Sequence, residues 1–260
     1  MEYTGKTTLI TGASAGIGVA YADGFAARGS NLILVARRKD RLDEVAKTVS
    51  QKYGVSVTVI AQDLAAPGAV AKLEKAVNAK KLTVDVLINN VGGSAAGGPV
   101  EMSEEVWDAQ IDHNLKSVFM MCKNVLPHML EQGAGNVVNI ASTSGIRWTG
   151  SAQVAYAATK AAVIQMGRVM AVQYAKQGIR VNTVVPGQLH TPMVETRLAK
   201  QRAGGDVQTL LSQRQARIPL PFMGDGQDTA NAVLFLSSDE ARFITGTEII
   251  VDGGMTVRCD

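Results

Sequence analysis

At 260 residues, 46% of them hydrophobic and 19% charged, the chain has the apolar content of a folded protein and a length that one α/β domain can fill, which excludes a disordered segment and requires no second domain. Its net charge of +3 is spread out, with no run of Lys and Arg interleaved with aromatics, so nucleic-acid binding has no support. Every apolar run is broken before transmembrane length, and Met1-Glu2-Tyr3-Thr4-Gly5-Lys6 lacks a signal peptide's basic and apolar regions; a cytosolic protein that does not enter a membrane is expected. Cys122 falls in a helical pattern and Cys259 is next to last, which suggests neither a disulfide framework nor a CxxC site. With three scattered histidines and no HExxH, no metal is expected.

The predicted elements alternate along the chain. A β-branched run over 7 to 11 leads through a small-residue turn into a helical pattern over 16 to 28. Further strand-like runs fall at 31 to 36, 56 to 61, 84 to 89, 136 to 140, 180 to 185 and 248 to 251. They are rich in Val, Ile and Leu without strict alternation, as strands buried on both faces are. Helical patterns fill the gaps over 39 to 53, 67 to 80, 103 to 131, 155 to 177 and 227 to 237. Seven strands so separated specify an α/β fold, a doubly wound parallel sheet with helices on both faces. No linker interrupts the series, so 1 to 260 is expected to form a single domain. Two irregular stretches stand out. One is a small-residue loop over 92 to 99; the other, about 188 to 226, is long for a simple connection, carries a helical segment near 207 to 216, and is expected to be a lid.

The first strand runs directly into Thr11-Gly12-Ala13-Ser14-Ala15-Gly16-Ile17-Gly18. Glycines let a backbone turn tightly and approach a pyrophosphate seated over a helix N-terminus, whose free N–H groups and dipole favour anions. The spacing is GxxxGxG, not the general GxGxxG fingerprint. Its position after the first strand of a doubly wound sheet is what assigns Gly12, Ser14, Ala15, Gly16, Ile17 and Gly18 to a dinucleotide. At the end of the second strand in such folds, an acid bonds the ribose 2′-OH of NAD, or an arginine meets the 2′-phosphate of NADP. Here the strand ends Ala36-Arg37-Arg38, with no acid and two guanidiniums suited to a phosphate dianion. NADP(H) is therefore the expected cofactor. NAD(H) is the alternative, because Arg37 and Arg38 also read as a solvated helix start and Ala15 puts no basic residue in the turn.

Tyr156-Ala157-Ala158-Thr159-Lys160 supplies candidate chemistry. In a helix Tyr156 and Lys160 share a face at i and i+4, where an ammonium favours phenolate over phenol and draws the tyrosine down from pH ~10 towards a proton-transfer role near neutrality. Ser142, fourteen residues upstream, can polarise a substrate oxygen. The same spacing also occurs in helices as a half-buried ring beside a solvated charge, so the other features must decide.

Together these residues resemble the short-chain dehydrogenase/reductase family, in its subfamily of about 250 residues, and the likeness spans nearly the whole chain. Its parts are the glycine turn; Asp63-Leu64 after the third strand; Asn89-Asn90-Val91-Gly92 after the fourth; Asn114; Ser142; Tyr156 and Lys160; Pro186-Gly187 with Thr191; and Val251-Asp252-Gly253-Gly254. The resemblance implies a Rossmann fold and an oxidoreductase that moves hydride reversibly between NADP(H) and a carbonyl or secondary alcohol, with Tyr156 as acid and base, Ser142 orienting, and Lys160 and Asn114 supporting a proton relay. It also implies that Asp63 and Leu64 flank the adenine, that Asn90, Val91 and Gly92 line the cofactor channel, that Pro186, Gly187, Leu189 and Thr191 lie against the nicotinamide, that Lys160 reaches its ribose and that Asn114 bends its helix. Val91 stands where the family usually has alanine. The Ser142 to Tyr156 gap is one residue longer than the commonest, so a bulged loop is expected. The first half resembles carbonyl reductases, the second ketoacyl-carrier-protein reductases or sugar dehydrogenases.

Candidate substrate contacts are Ser94, Ile146, Arg147, Trp148, Gln153, Gln188, His190, Met193 and Phe222. Arg147-Trp148 suits an anionic or aromatic ketone or, more simply, an exposed Arg lying over a packed Trp. From Glu195 to Arg217 five cations, Arg197, Lys200, Arg202, Arg214 and Arg217, face two acids, which reads as a solvated helical face or as an attraction for acidic substrates. The competing functions are an NAD-linked alcohol or sugar dehydrogenase and a catalytically silent nucleotide-binding regulator. By the same resemblance the helices over 103 to 131 and 155 to 177 pair between subunits, giving a homotetramer or homodimer.

Overall fold

The computed structural model describes residues 1–80, 82–192, 194 and 206–259. Its elements follow in chain order as β1 (Thr7–Thr11), α1 (Ile17–Ala26), β2 (Asn31–Ala36), α2 (Lys39–Tyr53), β3 (Val57–Ala61), α3 (Ala69–Ala79), β4 (Val86–Asn89), α4 (Glu104–Ile111), α5 (Ser117–Gln132), β5 (Gly135–Ile140), α6 (Val154–Tyr174), β6 (Ile179–Pro186), α7 (Val207–Gln215), α8 (Gly226–Ser237) and β7 (Glu248–Val251). The strands form one sheet in the order β3-β2-β1-β4-β5-β6-β7, and every pair is parallel.

Side chains alternate across the pleat, and the two faces bury separate cores. Ile10, Leu32 and Leu34 face α1, α2 and α8, meeting Phe25, Leu42 and Leu234. Their neighbours Leu9, Ile33 and Val35 face the other layer, meeting Leu73, Met121 and Val163 of α3, α5 and α6. Both faces are therefore covered along the inner strands. Burial on both sides, expected of all seven, fails at the two edges: β3 and β7 are only half-buried, and Ala61 and Ile250 are exposed. An edge strand lacks neighbours on one side, and its apolar composition does not reveal this.

The helical pattern read as continuous over 103 to 131 is in fact interrupted. α4 starts at Ser103, whose hydroxyl accepts from Val106 N–H, and passes into a π-helical turn over Asp112–Lys116 before α5 resumes. The Ser117 N–H reaches Asp112 O, five residues back, so one extra residue is accommodated. Asn114 lies fully buried in that turn. α8 begins with a reciprocal cap in which Asp225 and Asp228 each accept the other's backbone side.

Because β1 lies between β2 and β4, successive crossovers leave in opposite directions there and open a crevice at the C-terminal strand ends. The glycine turn after β1, Asn90 to Gly92 after β4, Ser142 after β5 and Gly187 after β6 all lie along that edge.

Candidate active site

The turn after β1 is shaped for close approach. Gly12 has φ 68, and a Cβ there would stand 2.8 Å from Asn90 Nδ2; a Cβ on Gly18 would stand 2.3 Å from the Gly12 carbonyl. Gly16 also has positive φ, at the N-cap of α1, with nothing within 4 Å of its missing Cβ. No side chain caps that ten-residue helix and no acid sits in its first turn, so its free N–H groups face open space beside exposed Ala15. This arrangement fits a pyrophosphate. The turn is braced from β4: Thr11 Oγ1 accepts from Asn90 N (2.9 Å) and Val91 N (3.1 Å), and Asn90 Nδ2 donates to Thr11 O and Gly12 O. Expected to line the channel, Asn90 thus directs its amide nitrogen at the turn's own backbone.

Arg37 and Arg38 leave β2 exposed. Two acids of the following helix, Asp43 and Glu44, are paired with Lys39 and Arg41, so they do not neutralise these guanidiniums. Asp63 and Leu64 follow β3; Leu64 is buried and the Asp63 carboxylate accepts from Ala65 N. One neighbour escaped the sequence reading. His113, half-buried in the π-turn, is hydrogen-bonded to the Gly92 backbone and lies within electrostatic reach of Arg37, Asp63 and Lys160; burial, then Arg37, pulls its pKa down. Adjacency to Asn114 is the one sequence signal that marks it.

Gly92, Asn114 and Lys160 converge, since a Cβ on Gly92 would lie 3.0 Å from Asn114 Oδ1 and 3.2 Å from Lys160 Nζ. Asn114 is held by Gly93, accepting from its N–H (2.8 Å) and donating to its carbonyl (3.1 Å). The Ser142 hydroxyl stands close enough to the Tyr156 phenol to favour its charged form. Lys160, on the same face of α6, has Nζ 5.7 Å from the Tyr156 ring centroid and donates to Ile140 O at 2.8 Å. The electrostatics differ from the expectation of a phenol drawn down by its lysine. Burial raises the Tyr156 pKa, opposed in part by the Ser142 hydroxyl. Desolvation outweighs the neighbouring cation, whose ammonium is directed at the Ile140 carbonyl. The same burial lowers Lys160 from 10.5 to about 8.

That shift makes a stability prediction. Below pH 8 the Lys160 ammonium is charged in both states and the folded protein bears its desolvation. Between about 8 and 10.5 the folded state releases its proton first, so the stability contribution of Lys160 rises with pH. The gain in unfolding free energy of Lys160→Met over wild type is expected to be greatest below pH 8 and to shrink by on the order of 3 kcal/mol by the end of that window. Urea titrations of both proteins across it check this; a difference independent of pH contradicts it.

Among the substrate candidates, Gln153 and Gln188 are buried, Ser94 is half-buried, and Ile146, His190 and Phe222 are exposed. Met193 lies outside the described residues. Arg147 is not poised for a substrate anion: its Nη1 donates to the carbonyls of Met255, Thr256 and Arg258, tying down the C-terminal segment. Trp148 is 70% exposed, which also departs from an Arg lying over a packed Trp. Of the lid cations, Arg214 is buried and donates to Leu189 O, so it does not belong to a solvated face; Arg217 is exposed and donates to Thr149 O, and Arg197, Lys200 and Arg202 lie outside the described residues. His190 borders a cavity of about 500 Å3 against Leu211 and Ser212 of α7. The longer loop between Ser142 and Tyr156 is taken up by a 3₁₀ turn, Thr143–Gly145, and the bends after it. Among the described residues no helix is long and apolar enough to cross a membrane, and no three His, Cys, Asp or Glu are grouped to hold a metal ion.

Comparison with known proteins agrees in scale and detail. A family model described as enoyl-(acyl carrier protein) reductase matches residues 12–256. The oxidoreductase UcpA of Salmonella typhi is 38% identical over 261 residues, covering 98% of this chain and 96% of that protein. A crystal structure of a short-chain dehydrogenase/reductase from Burkholderia xenovorans superposes with a TM-score of 0.93 at 54% identity, covering 99% of both chains. L-sorbose reductase from Gluconobacter frateurii, solved with NADPH and L-sorbose, gives a TM-score of 0.92 at 32% identity over 100% of this chain and 99% of that one. With this coverage and a seven-stranded parallel Rossmann sheet, the chain belongs to the short-chain dehydrogenase/reductase family of oxidoreductases.

Proposed function

We propose that this protein reduces a carbonyl to a secondary alcohol, reversibly, with NADP(H). The carrying observation is the convergence of the Tyr156 phenol and the Ser142 hydroxyl with Lys160 buried one helical turn away. NADPH, when bound, supplies the hydride taken up by the carbonyl carbon. The developing alkoxide takes its proton from Tyr156, which burial keeps as the neutral phenol at neutral pH. Ser142 donates to the same oxygen and fixes its place. Lys160, near 8, and Asn114 stand behind the phenol as the route by which its proton is restored. In the oxidative direction the same atoms work in reverse.

Support for NADP(H) over NAD(H) comes from exposed Arg37 and Arg38 at the end of β2, where no acid stands, and from the NADPH in the L-sorbose reductase structure. Gly12, Ser14, Ala15, Gly16, Ile17 and Gly18 would hold the pyrophosphate, Asp63 and Leu64 the adenine, and Asn90, Val91, Gly92, Pro186, Gly187, Leu189 and Thr191 the nicotinamide end. The whole chain acts as one catalytic domain with its lid at about 188 to 226. It is a cytosolic enzyme that assembles as a homotetramer or homodimer through α4, α5 and α6, where Trp107, Phe119, Val169 and Val172 expose apolar surface; light-scattering mass tests that. Function is tested by following NADPH oxidation with ketoacyl thioesters, sugars, cyclic diketones and aryl ketones, using Tyr156→Phe as control. Loss of turnover in the variant supports the reading, and full turnover in it refutes the assigned acid.

A further inference from the structure

The loop between Ser142 and Tyr156 is tied from outside at two points, and neither tie has a part in the reaction above. Arg147 Nη1 donates to the carbonyls of Met255 (3.3 Å), Thr256 and Arg258 (2.9 Å). Arg217, just after α7, donates from Nη1 to Thr149 O at 2.9 Å; it crosses Gly150, where a Cβ would stand 2.5 Å from that nitrogen. The two anchors are joined to each other. Arg258 Nη1 donates to Ala216 O at 2.6 Å, Leu220 N donates to Gly253 O, and a Cβ on Gly253 would stand 2.6 Å from Ile218 Cγ2. The segment after β7 therefore lies against the chain that follows α7, and Asp252 stiffens it by accepting from Gly254 N and Thr256 N.

Inside the loop a short series of contacts leads from these ties to the serine. Thr149 Oγ1 lies 3.2 Å from Ser144 Oγ, Gln153 Nε2 donates to Ser144 Oγ at 2.9 Å, and the Ser144 N–H donates to Ser142 Oγ at 3.2 Å. A guanidinium presents its donors in one rigid plane, so it fixes backbone carbonyls that a flexible ammonium would hold loosely. We propose that Arg147 and Arg217 are positioning residues, which with the C-terminal segment hold this loop so that Ser142 Oγ stays aimed at the substrate carbonyl. The proposal rests on the hydride-transfer reading. Either tie alone still anchors the loop, so each arginine covers for the other. Their removal acts through Ser142 and not on the cofactor, whose proposed contacts lie elsewhere.

With the full-length enzyme, NADPH and the ketone of the panel that turns over fastest, Arg147→Ala and Arg217→Ala are each expected to lower kcat about threefold. The double variant is expected to lower it about tenfold beyond the product of the two, with NADPH affinity unchanged by fluorescence titration. Arg147→Ala/Arg217→Lys, which keeps an N–H for Thr149 O, should recover most of that loss. Placing the double substitution in the Ser142→Ala protein separates positioning from stability: with the serine hydroxyl gone the arginines have nothing left to aim, and kcat should fall by less than about twofold further. Hydrogen exchange of amides 146 to 152 in the ligand-free protein, expected to quicken in the double variant and in neither single one, reads the ties without turnover. Losses that simply multiply, losses that persist in full in the Ser142→Ala background, or unchanged exchange in the double variant overturn the proposal. Failure of the wild-type enzyme to reduce any ketone of the panel overturns the hydride-transfer reading itself, and the exchange measurement then still decides whether the two arginines hold the loop.

Discussion

Tyr156→Phe is expected to lower kcat by about 10² to 10⁴-fold, the range lost when a positioned acid is removed, while NADPH still binds. The substitution deletes one oxygen and leaves the ring in place, and the core contacts of α6 through Val163, Met170 and Ala171 are untouched. The Ser142 hydroxyl retains the Ser144 N–H and loses only the phenol. Ser142→Ala removes a donor and leaves the acid, for an expected loss of about 10² to 10³-fold. The two losses should not add, because both residues act on one oxygen. A phenol whose pKa is raised by burial stays in its proton-donating form at neutral pH and supplies little phenolate, so ketone reduction should fall as pH becomes alkaline and alcohol oxidation should rise. Stopped-flow turnover measures the chemistry, and fluorescence titration of NADPH in the absence of substrate measures binding. Near-normal turnover by the Tyr156→Phe protein would remove Tyr156 from the mechanism.

How far the sequence reveals this site differs from residue to residue. β1, β2 and β7 are legible to the residue because a parallel strand's apolar run ends where its turn chemistry begins. Tyr156 and Lys160 are legible because helical spacing alone sets their relation. The electrostatics are not, since a phenol's pKa depends on how much water the fold removes, and that is set by segments distant in sequence. Arg147 and Arg217 mislead for a related reason. Each looks like a free surface charge in sequence, yet each meets backbone carbonyls from segments about 70 to 110 residues away, bonds that carry no side-chain signature. The π-turn at Asn114 is hidden similarly: an inserted residue in a long amphipathic pattern shifts its phase by one position, less than the width of the apolar face.

Removing the two arginines after β2 is expected to separate the cofactors. A hydrogen bond to a charged group contributes about 1.5–3 kcal/mol, so Arg37→Ala and Arg38→Ala should each lower kcat/KM with NADPH by about 10 to 100-fold, with little change for NADH. The difference arises because only NADP(H) carries the 2′-phosphate, while the glycine turn and the α1 N-terminus serve both cofactors alike. Exposure of both guanidiniums adds a second signature. Charges in solvent are screened over about 8 Å at physiological ionic strength, so the KM for NADPH should rise with salt in the wild type and lose much of that dependence in Arg37→Ala/Arg38→Ala. Since both residues lie outside the buried core and α2 keeps its Lys39–Asp43 and Arg41–Glu44 pairs, thermal stability should change little, which keeps a loss of NADPH affinity from being a loss of fold. Titration of each cofactor by intrinsic fluorescence gives the same comparison without a substrate. A wild-type enzyme that prefers NADH, or a double variant that still prefers NADPH with an unchanged salt dependence, would mean that the 2′-position is read by other residues.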